Sequence, residues 1–297
     1  MRKKVITLFH NPGAGNGNHE KQFLMRLLKK AGYDGRYRSV KSKRWKKIPP
    51  GTECVAIAGG DGTVKKVIRL LAAPPYNDRE WQIGLLPLGT ANNIANTLGI
   101  EGKPKNLVAG WGKKTTKFDT GLVSWGKKEA IFGEAIGIGM FPVHIQEMTA
   151  AADENYILTN GLQLCSVDLL RSAGTFIPVE CELEIDGHQY SGKYLVVEVM
   201  NIRSIGPNIV VAPGADSGDG YFDVVLIGEA DRGVLSDYLY AKLVKGAPGY
   251  PGESIRAKNI RIKAKHNLFH IDDELKELVR PVELSIRLHT SNLSFYI

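Results

Sequence analysis

The first hundred residues repeat one pattern of hydrophobic and polar positions: a short apolar run, a glycine-rich turn, and a segment with helical periodicity. The apolar runs cover residues 5–9, 54–58 and 82–88, and the turns after them read HNPGAGNGN, GGDGT and GTANN. After the second turn, apolar residues from Val64 to Leu71 recur at i, i+3, i+4 and i+7, the spacing of one helix face. The pattern predicts three strand, turn and helix units in an open parallel α/β sheet.

The other two helical segments show the same periodicity over shorter distances. In the first, the predicted face consists of Phe23, Leu24, Leu27 and Leu28. In the third, it consists of Ile94, Ala95 and Leu98, with Thr90 expected to cap the helix.

The three glycine turns are expected to meet at one edge of the sheet. Parallel strands joined by helical crossovers bring all such turns to the carboxyl ends of the strands, where open α/β sheets bind ligands. The first amides of each helix have no partner within the helix, and glycine lets a ligand approach the backbone closely. The sequence therefore predicts an anion site, with phosphate as the expected ligand.

After about residue 118 the chain changes to alternating β-type runs separated by turns. ELEIDGHQYSG predicts a hairpin with Asp186-Gly187 at its tip, and further strands are predicted at KYLVVEVM, YFDVVLI, NIRIKA and VELSIRL. Helices are predicted over residues 156–174 and 232–246. We therefore predict an antiparallel β domain with a helical insertion, and a division into residues 1–120 and 121–297 whose last residues pack back on the first domain.

Composition and charge narrow the setting. The formal net charge of +8 favours anionic partners, but no basic and aromatic reader motif indicates nucleic acid. No secretory or membrane-spanning run is found, so we expect a soluble protein. Three cysteines at unrelated spacings, Cys54, Cys165 and Cys181, fit neither a disulfide framework nor a zinc site, so we expect it to be cytoplasmic. The basic run 41–47 is either a solvated face or a peripheral contact with an anionic membrane.

Asp61 is the acidic residue among the glycines of the second turn. A carboxylate at an anion site would repel phosphate unless a cation lies between them, and Mg²⁺ held by carboxylates and phosphates removes that conflict. The alternative is that Asp61 only caps its helix, since aspartate is a preferred cap residue.

Specific motifs resemble the catalytic domain of the diacylglycerol kinase family, which includes bacterial lipid kinases and sphingosine kinases and shares a superfamily with NAD kinases. In chain order they are NPGAG, GGDGTV, PLGTANNIANTLGI, DTGLV, FGEAIGIGMF, APGADSGDGYFDVVLI and IDDEL. NAD kinases share mainly the GGDGT turn, so the later motifs indicate the lipid branch. The resemblance implies an α/β nucleotide-binding domain followed by a β-sandwich that receives the lipid.

The resemblance also implies roles for individual residues. ATP and Mg²⁺ would lie at Asn11, Gly59, Gly60, Asp61, Gly62, Thr63, Gly89, Thr90 and Asn92. Asp272 would take the proton of the acceptor hydroxyl, and Glu274, with Asp61, would arrange the catalytic metal. Taken alone, the DDEL tetrapeptide is typical of an exposed acidic turn.

A structural divalent cation is a second implication of the resemblance. In bacterial family members the Asp-Gly-Tyr element holds such an ion with a carboxylate and neighbouring carbonyls, which here would be Asp219 with the carbonyls of Asp216 and Tyr221. Oxygen-only ligation suits Mg²⁺ or Ca²⁺. Without the resemblance, this segment indicates only a turn.

The chain departs from the family pattern at several positions. Lys65-Lys66 replaces the usual Asn-Glu, Asn93 replaces an aspartate, Glu134 replaces an asparagine, and Asp273 replaces the glycine of the Asp-Gly-Glu turn. Helix geometry predicts that the side chains of Lys65 and Lys66 point away from the apolar face.

The expected function is an ATP- and Mg²⁺-dependent lipid kinase of phospholipid metabolism with a diacylglycerol-like acceptor. The alternatives are a kinase of sphingoid bases or other long-chain alcohols, and a nucleotide-binding family member without kinase turnover, which the departures favour. The oligomeric state is open, with a homodimer as one expectation.

Overall fold

The chain folds into two units in a computed structural model that describes residues 2–15, 17, 19–150, 166–246 and 249–297. Unit 1 comprises Met1–Thr120, Ser217–Asp219 and Thr290–Ile297. Unit 2 comprises Gly121–Asp216 and Gly220–His289.

Unit 1 is built on a parallel sheet. Its strands are β1 (Val5–His10), β2 (Asp34–Ser39), β3 (Cys54–Gly59), β4 (Trp81–Pro87) and the end of β17 (Val282–Tyr296), in the order β2-β1-β3-β4-β17. Every neighbouring pair is parallel. The predicted β1, β3 and β4 are confirmed. The pattern did not reveal β2 because its sequence, DGRYRS, is polar, as suits an edge strand.

The helices described in unit 1 are α1 (Lys21–Lys30), α2 (Asp61–Leu71), α3 (Asn93–Thr97) and α4 (Pro104–Gly110). The predicted apolar face of α2 is confirmed, because all four of its residues are buried. In α1, Leu24 and Leu28 are buried and pack with β1 and β3, but Phe23 is 42% exposed. Its assignment to the buried face was wrong, because the face of this helix that contacts the sheet is narrower than the apolar stripe.

Unit 2 is an antiparallel β structure. Its strands are β5 (Thr115–Trp125, which begins in unit 1), β6 (Lys128–Phe132), β7 (Ala135–Gly139), β8 (Val179–Ile185), β9 (His188–Met200), β10 (Ser204–Ile205), β11 (Ile209–Val210), β12 (Phe222–Gly228), β13 (Ser254–Ala257), β14 (Asn259–Ala264), β15 (Leu268–Ile271), β16 (Glu274–Glu277) and most of β17. The main order is β16-β15-β7-β9-β8-β14-β17, and β12 also pairs with β9.

The long strand β9 organises this unit. Its first half pairs with β8 across a two-residue turn, Asp186-Gly187, in which both residues have positive φ angles of 43° and 88°. The predicted hairpin is therefore confirmed. Its second half lies between β7 and β12, so that residues from all four strands enter one apolar cluster.

Helices cover the other face of these strands. They are α5 (Met140–Ala150), α6 (helical over residues 166–175) and α7 (Arg232–Lys245), which follows a 3₁₀ turn at Glu229–Asp231. The predicted helix over 232–246 is confirmed. The predicted helix over 156–174 is seen from residue 166 onward, and residues 156–165 lie outside the described residues. Within the described part of the chain, no helix has the length and apolar character needed to cross a bilayer.

Candidate functional site

The second and third glycine turns of unit 1 touch through their backbones. A Cβ atom added to Gly89 would lie 2.4 Å from the Cα atom of Gly60, far inside an ordinary contact. Glycine is required at both positions because only its missing side chain allows this approach. The predicted convergence of these turns is thus seen in the structure.

The first turn joins the same group. Gly15 has a φ angle of +55°, and a Cβ atom there would lie 2.4 Å from the carbonyl oxygen of Leu88. The Asn11 amide donates to the Ala58 carbonyl at 2.9 Å, and the Leu88 amide donates to the Gly59 carbonyl at 3.0 Å. Backbone hydrogen bonds therefore hold the starts of all three turns side by side.

Asp61 links the second turn to the third helix. Its Oδ1 atom accepts a hydrogen bond from the Ile94 amide at 3.1 Å, so the carboxylate provides the partner for an N-terminal amide of α3. The N-cap of α2 is Gly60. Asp61 is the first residue of α2 and so does not cap its own helix, but its carboxylate caps α3, which agrees with the alternative that Asp61 is a helix cap.

Asn92 shapes the third turn. It has a left-handed φ angle of 52°, its Oδ1 accepts the Gly89 amide at 3.0 Å, and its Nδ2 donates to the Gly89 carbonyl at 2.8 Å. Asn92 is also the N-cap residue of α3, whereas Thr90 is exposed. The prediction that Thr90 caps this helix was wrong, because the turn is two residues longer than its pattern indicated.

A chain of aromatic side chains lies behind the first turn. Tyr37 donates to Nδ1 of His10 at 3.0 Å, Nε2 of His10 donates to Nδ1 of His19 at 2.9 Å, and Nε2 of His19 donates to the Ala14 carbonyl at 2.8 Å. The carbonyl can only accept, which fixes the direction of every bond with both rings neutral. Burial lowers the pKa of His10 to about 4, and repulsion from the His19 ring in its protonated form is a smaller cause in the same direction.

The lysines near these turns differ in exposure. Lys66 is exposed, but Lys65 is only 4% exposed, although helix geometry directs both side chains away from the apolar stripe. The buried side of this helix therefore extends beyond its apolar stripe.

The Nζ atom of Lys41 lies so near the first turn that a Cβ atom at Gly13 would be 2.6 Å from it. The sequence pattern identified Lys41 only as part of the basic run, and its position beside a glycine turn is seen only in the structure.

In unit 2, Asp272 occupies the turn between β15 and β16. Its side chain is 3% exposed, and Oδ1 accepts hydrogen bonds from the amides of Gly133, Glu134 and Ala135 at 3.1, 2.8 and 3.4 Å. The Asp272 amide donates to the Ala135 carbonyl at 2.7 Å. The motif FGEA is thereby folded around the carboxylate.

The neighbours of Asp272 are in different surroundings. The left-handed conformation of this turn falls on Asp272, with φ of 53°, and not on Asp273. The absence of glycine at position 273 therefore causes no strain. Glu274 is exposed and forms an ion pair with Lys276 at 2.9 Å.

Two functional candidates in unit 2 escaped the sequence analysis. Nε2 of His270 lies 2.9 Å and 3.0 Å from the two carboxylate oxygens of Glu198, and Nδ1 of His270 donates to the carbonyl of Asp272 at 2.7 Å. Both side chains are fully buried. Burial raises the pKa of Glu198, and Glu198 together with the Asp272 carbonyl raises the pKa of His270 against the opposing effect of burial. The signal was an acidic residue inside the apolar run LVVEVM.

The acidic loop before β12 contains the predicted structural metal ligands. Asp216 and Asp219 are exposed, and Tyr221 lies under the cations of Arg256 and Lys258 at 4.3 and 4.5 Å. Across the described ranges, no group of three or more His, Cys, Asp or Glu side chains is arranged to hold a metal ion. A site made from one carboxylate and two backbone carbonyls remains a prediction.

Unit 2 also contains a cleft of about 600 Å³. Its walls are partly apolar, with Met140, Val143, Phe176, Ile177, Pro178 and Val179, and partly charged, with Glu147, Glu180, Lys193 and Lys265. Such a mixture suits an amphipathic ligand.

Comparison with known proteins identifies the class to which this architecture belongs. Residues 5–123 match the family described as diacylglycerol kinase catalytic domain, and residues 147–288 match the YegS C-terminal NAD kinase beta sandwich-like domain. These two matches cover most of the chain. Residues 5–123 therefore form a domain of the diacylglycerol kinase catalytic type, and residues 147–288 form a domain of the YegS C-terminal beta-sandwich type.

Individual relatives agree with this assignment. The chain is 29% identical over 240 residues to a Pectobacterium atrosepticum protein named "Probable lipid kinase YegS-like", covering 76% of each chain. It is 24% identical over 228 residues to a diacylglycerol kinase of Mycobacterium tuberculosis, covering 73% of this chain and 68% of that one.

Solved structures show the same fold. A diacylglycerol kinase from Bacillus anthracis superposes with a TM-score of 0.71 at 19% identity, covering 99% of this chain and 96% of that one. An NAD kinase from Archaeoglobus fulgidus, solved in complex with ATP, superposes with a TM-score of 0.54 at 11% identity, covering 99% and 93%. The predicted α/β plus β-sandwich fold is confirmed.

Proposed function

We propose that this protein is an ATP- and Mg²⁺-dependent kinase that phosphorylates a hydroxyl group of a diacylglycerol-like lipid. The observation that carries the proposal is the junction of the three glycine turns in unit 1, where Gly60 and Gly89 touch. Turns of this kind present backbone amides and a helix N-terminus to an anion, and the ammonium of Lys41 adds a positive charge at the first turn.

Asp61 fits the chemistry of a Mg²⁺ ligand. It is a half-buried carboxylate at the start of α2, and the Ile94 amide holds one of its oxygens in a fixed position. Carboxylate oxygens and substrate phosphates are the ligands that Mg²⁺ takes in kinases. We propose that Asp61 and Glu274 serve the ion, which when bound would neutralise charge on the phosphates.

Asp272 is the proposed acceptor of the hydroxyl proton. In the transfer, the acceptor oxygen bonds to the γ-phosphorus while the bond from that phosphorus to the bridging oxygen of ADP breaks. The hydroxyl proton passes to the Asp272 carboxylate. The amides of residues 133–135 fix this carboxylate in one orientation, which a positioned general base requires.

The cleft of unit 2 supports a long-chain acceptor. Ala135 and Asp272 bond to each other at one end of the β7 and β15 pair, while Met140 and His266 line the cleft beyond the other end. Strand rise places the ends of β7 about 14 Å apart. A lipid with its hydroxyl at Asp272 and its chain in this cleft would have to span that distance.

The decisive experiment compares Asp61→Asn with Asp61→Ala in transfer of labelled phosphate from ATP to diacylglycerols, sphingoid bases and monoacylglycerols. Asparagine keeps an oxygen for the Ile94 amide but removes the charge, so we expect near-normal stability and a loss of turnover of about a hundredfold or more. Alanine should also lose the amide contact, worth about 1 kcal/mol. Normal turnover in Asp61→Asn would refute the metal role.

The acceptor panel separates the remaining candidates. Labelling of sphingoid bases alone would favour a sphingoid-base kinase. ATP binding without any labelled lipid would favour a family member without kinase turnover. Asp272→Asn and Glu274→Gln distinguish the two carboxylates. Only Asp272→Asn, which removes the base, should abolish transfer and leave ATP binding intact.

We also propose that the basic run 41–47 contacts anionic membrane. Its cationic side chains are exposed, and Trp45 is half-buried against Phe9, with ring centroids 6.3 Å apart. Salt-sensitive binding to phosphatidylserine vesicles that is lost on replacing Lys43 and Lys46 with glutamine is the expected result. Equal binding by both proteins would favour a merely solvated face.

A further inference from the structure

We infer that Glu198 and His270 are a positioning pair that fixes the turn carrying Asp272. The inference rests on the proposed function, because it explains how the proposed base is held. The two side chains contact each other and neither is exposed to solvent.

The register of three adjacent strands builds this pair. His270 on β15 is opposite Gly137 on β7, and Gly137 is opposite Glu198 on β9. The two outer residues stand about 10 Å apart across the sheet, twice the distance between neighbouring strands. Their side chains meet above Gly137, where a Cβ atom would lie 1.9 Å from Oε1 of Glu198. Glycine at position 137 leaves the space that the pair occupies.

The pair is connected to the turn by one hydrogen bond. The carbonyl of Asp272 accepts from Nδ1 of His270 at 2.7 Å, while the Asp272 amide donates to the Ala135 carbonyl, also at 2.7 Å. Both backbone groups of a residue with a φ angle of 53° are therefore held. A left-handed conformation at a residue other than glycine persists only where the surroundings determine it, and here the two bonds do so.

Stability alone does not account for the pair. Removing two ionisable groups from water is unfavourable, and apolar side chains of similar size often serve a protein core equally well or better. A hydrogen-bonded pair, in contrast, fixes the orientation of its side chains. It orients the imidazole so that Nδ1 faces the turn, and the turn then directs the Asp272 carboxylate to the amides of residues 133–135.

Two double variants on a Glu198→Gln background test the role of the Nδ1 donor. Glutamine at position 198 removes the buried charge, and this background is the reference. His270→Asn retains a nitrogen donor at the δ position, whereas His270→Gln moves it to the ε position, away from the Asp272 carbonyl. We expect kcat to fall tenfold to a hundredfold, on the order expected for a misplaced catalytic group, in the His270→Gln double variant, with an unchanged KM for ATP. The His270→Asn double variant should recover most of that loss.

Hydrogen exchange provides a readout that does not depend on kinase activity. The amides of Gly133, Glu134 and Ala135 donate to Asp272, so they should exchange faster in the His270→Gln double variant than in the His270→Asn one. If the wild type transfers no phosphate but the exchange difference is found, the proposed function fails and the positioning role stands. Equal exchange and equal kcat in the two double variants would overturn the inference.

If neither double variant folds, imidazole NMR of the wild type replaces them. A protected Nδ1 proton on His270, with a coupling through the hydrogen bond to the Asp272 carbonyl, supports the pair. A rapidly exchanging Nδ1 proton overturns it.

Discussion

Adding one methyl group at Gly89 tests whether the glycine turns of unit 1 form one nucleotide site. In Gly89→Ala the new Cβ atom would be 2.4 Å from the Cα atom of Gly60 and 2.9 Å from Oδ1 of Asn92. Ordinary contacts of a Cβ atom begin near 3.4 Å, so the two backbones would have to separate by about 1 Å. Backbone cannot rotate away as a flexible side chain can.

We expect this separation to lower the free energy of unfolding by about 1–3 kcal/mol, the range for overpacking a well-packed region. It should also weaken ATP binding by about tenfold or more, which corresponds to about 1.4 kcal/mol. Urea denaturation and calorimetric titration with ATP measure the two effects.

The matched control is Gly110→Ala. Gly110 is the last residue of α4, has no atom within 4 Å of an added Cβ, and does not have a positive φ angle. Alanine there should leave ATP binding unchanged and stability equal or slightly higher. If Gly89→Ala binds ATP as tightly as this control, the contact between the turns does not shape the nucleotide site.

Two other predictions concern buried groups of unit 1 and unit 2. The pKa of His10 is about 4 in the folded protein and 6.5 in the unfolded chain. Between these values the unfolded chain binds the proton and the folded protein does not. The contribution of His10 to the free energy of unfolding should therefore be complete above pH 6.5 and fall by about 3 kcal/mol toward pH 4. Urea denaturation across this interval should show a shallower loss in His10→Gln, and an equal slope would exclude His10 as the cause. Burial raises the pKa of Cys54 to about 11 and that of Cys181 to about 12, so both thiols should react with iodoacetamide only after denaturation; rapid labelling of either in the native protein would contradict its burial.

Local patterns predicted the part of the fold that local interactions determine. The strands β1, β3 and β4, the face of α2 and the hairpin at Asp186-Gly187 each follow from residues that are close in sequence. The polar strand β2 has no such pattern, and only its pairing with β1 defines it.

Contacts distant in sequence account for what the sequence did not reveal. The Asp61 bond to the Ile94 amide joins residues 33 positions apart, and the pair of Glu198 and His270 joins residues 72 positions apart. Both depend on strand order and register, which no periodicity specifies. The burial of Lys65 was not foreseen for the same reason, since tertiary packing decides how much of α2 is buried.

The strand β17 has a consequence for how the protein can be made and divided. Its final residues, Leu293 to Phe295, pair with β4, while Phe295 packs on Phe118 and Tyr296 stacks on Trp111, all within unit 1. A ribosome synthesises those residues long after β4, so the sheet built by β1 to β4 stays open along the β4 edge until residues 293–295 emerge. A fragment of residues 1–120 would expose that edge and aggregate, and an autonomous version of unit 1 requires the last eight residues to be grafted onto it.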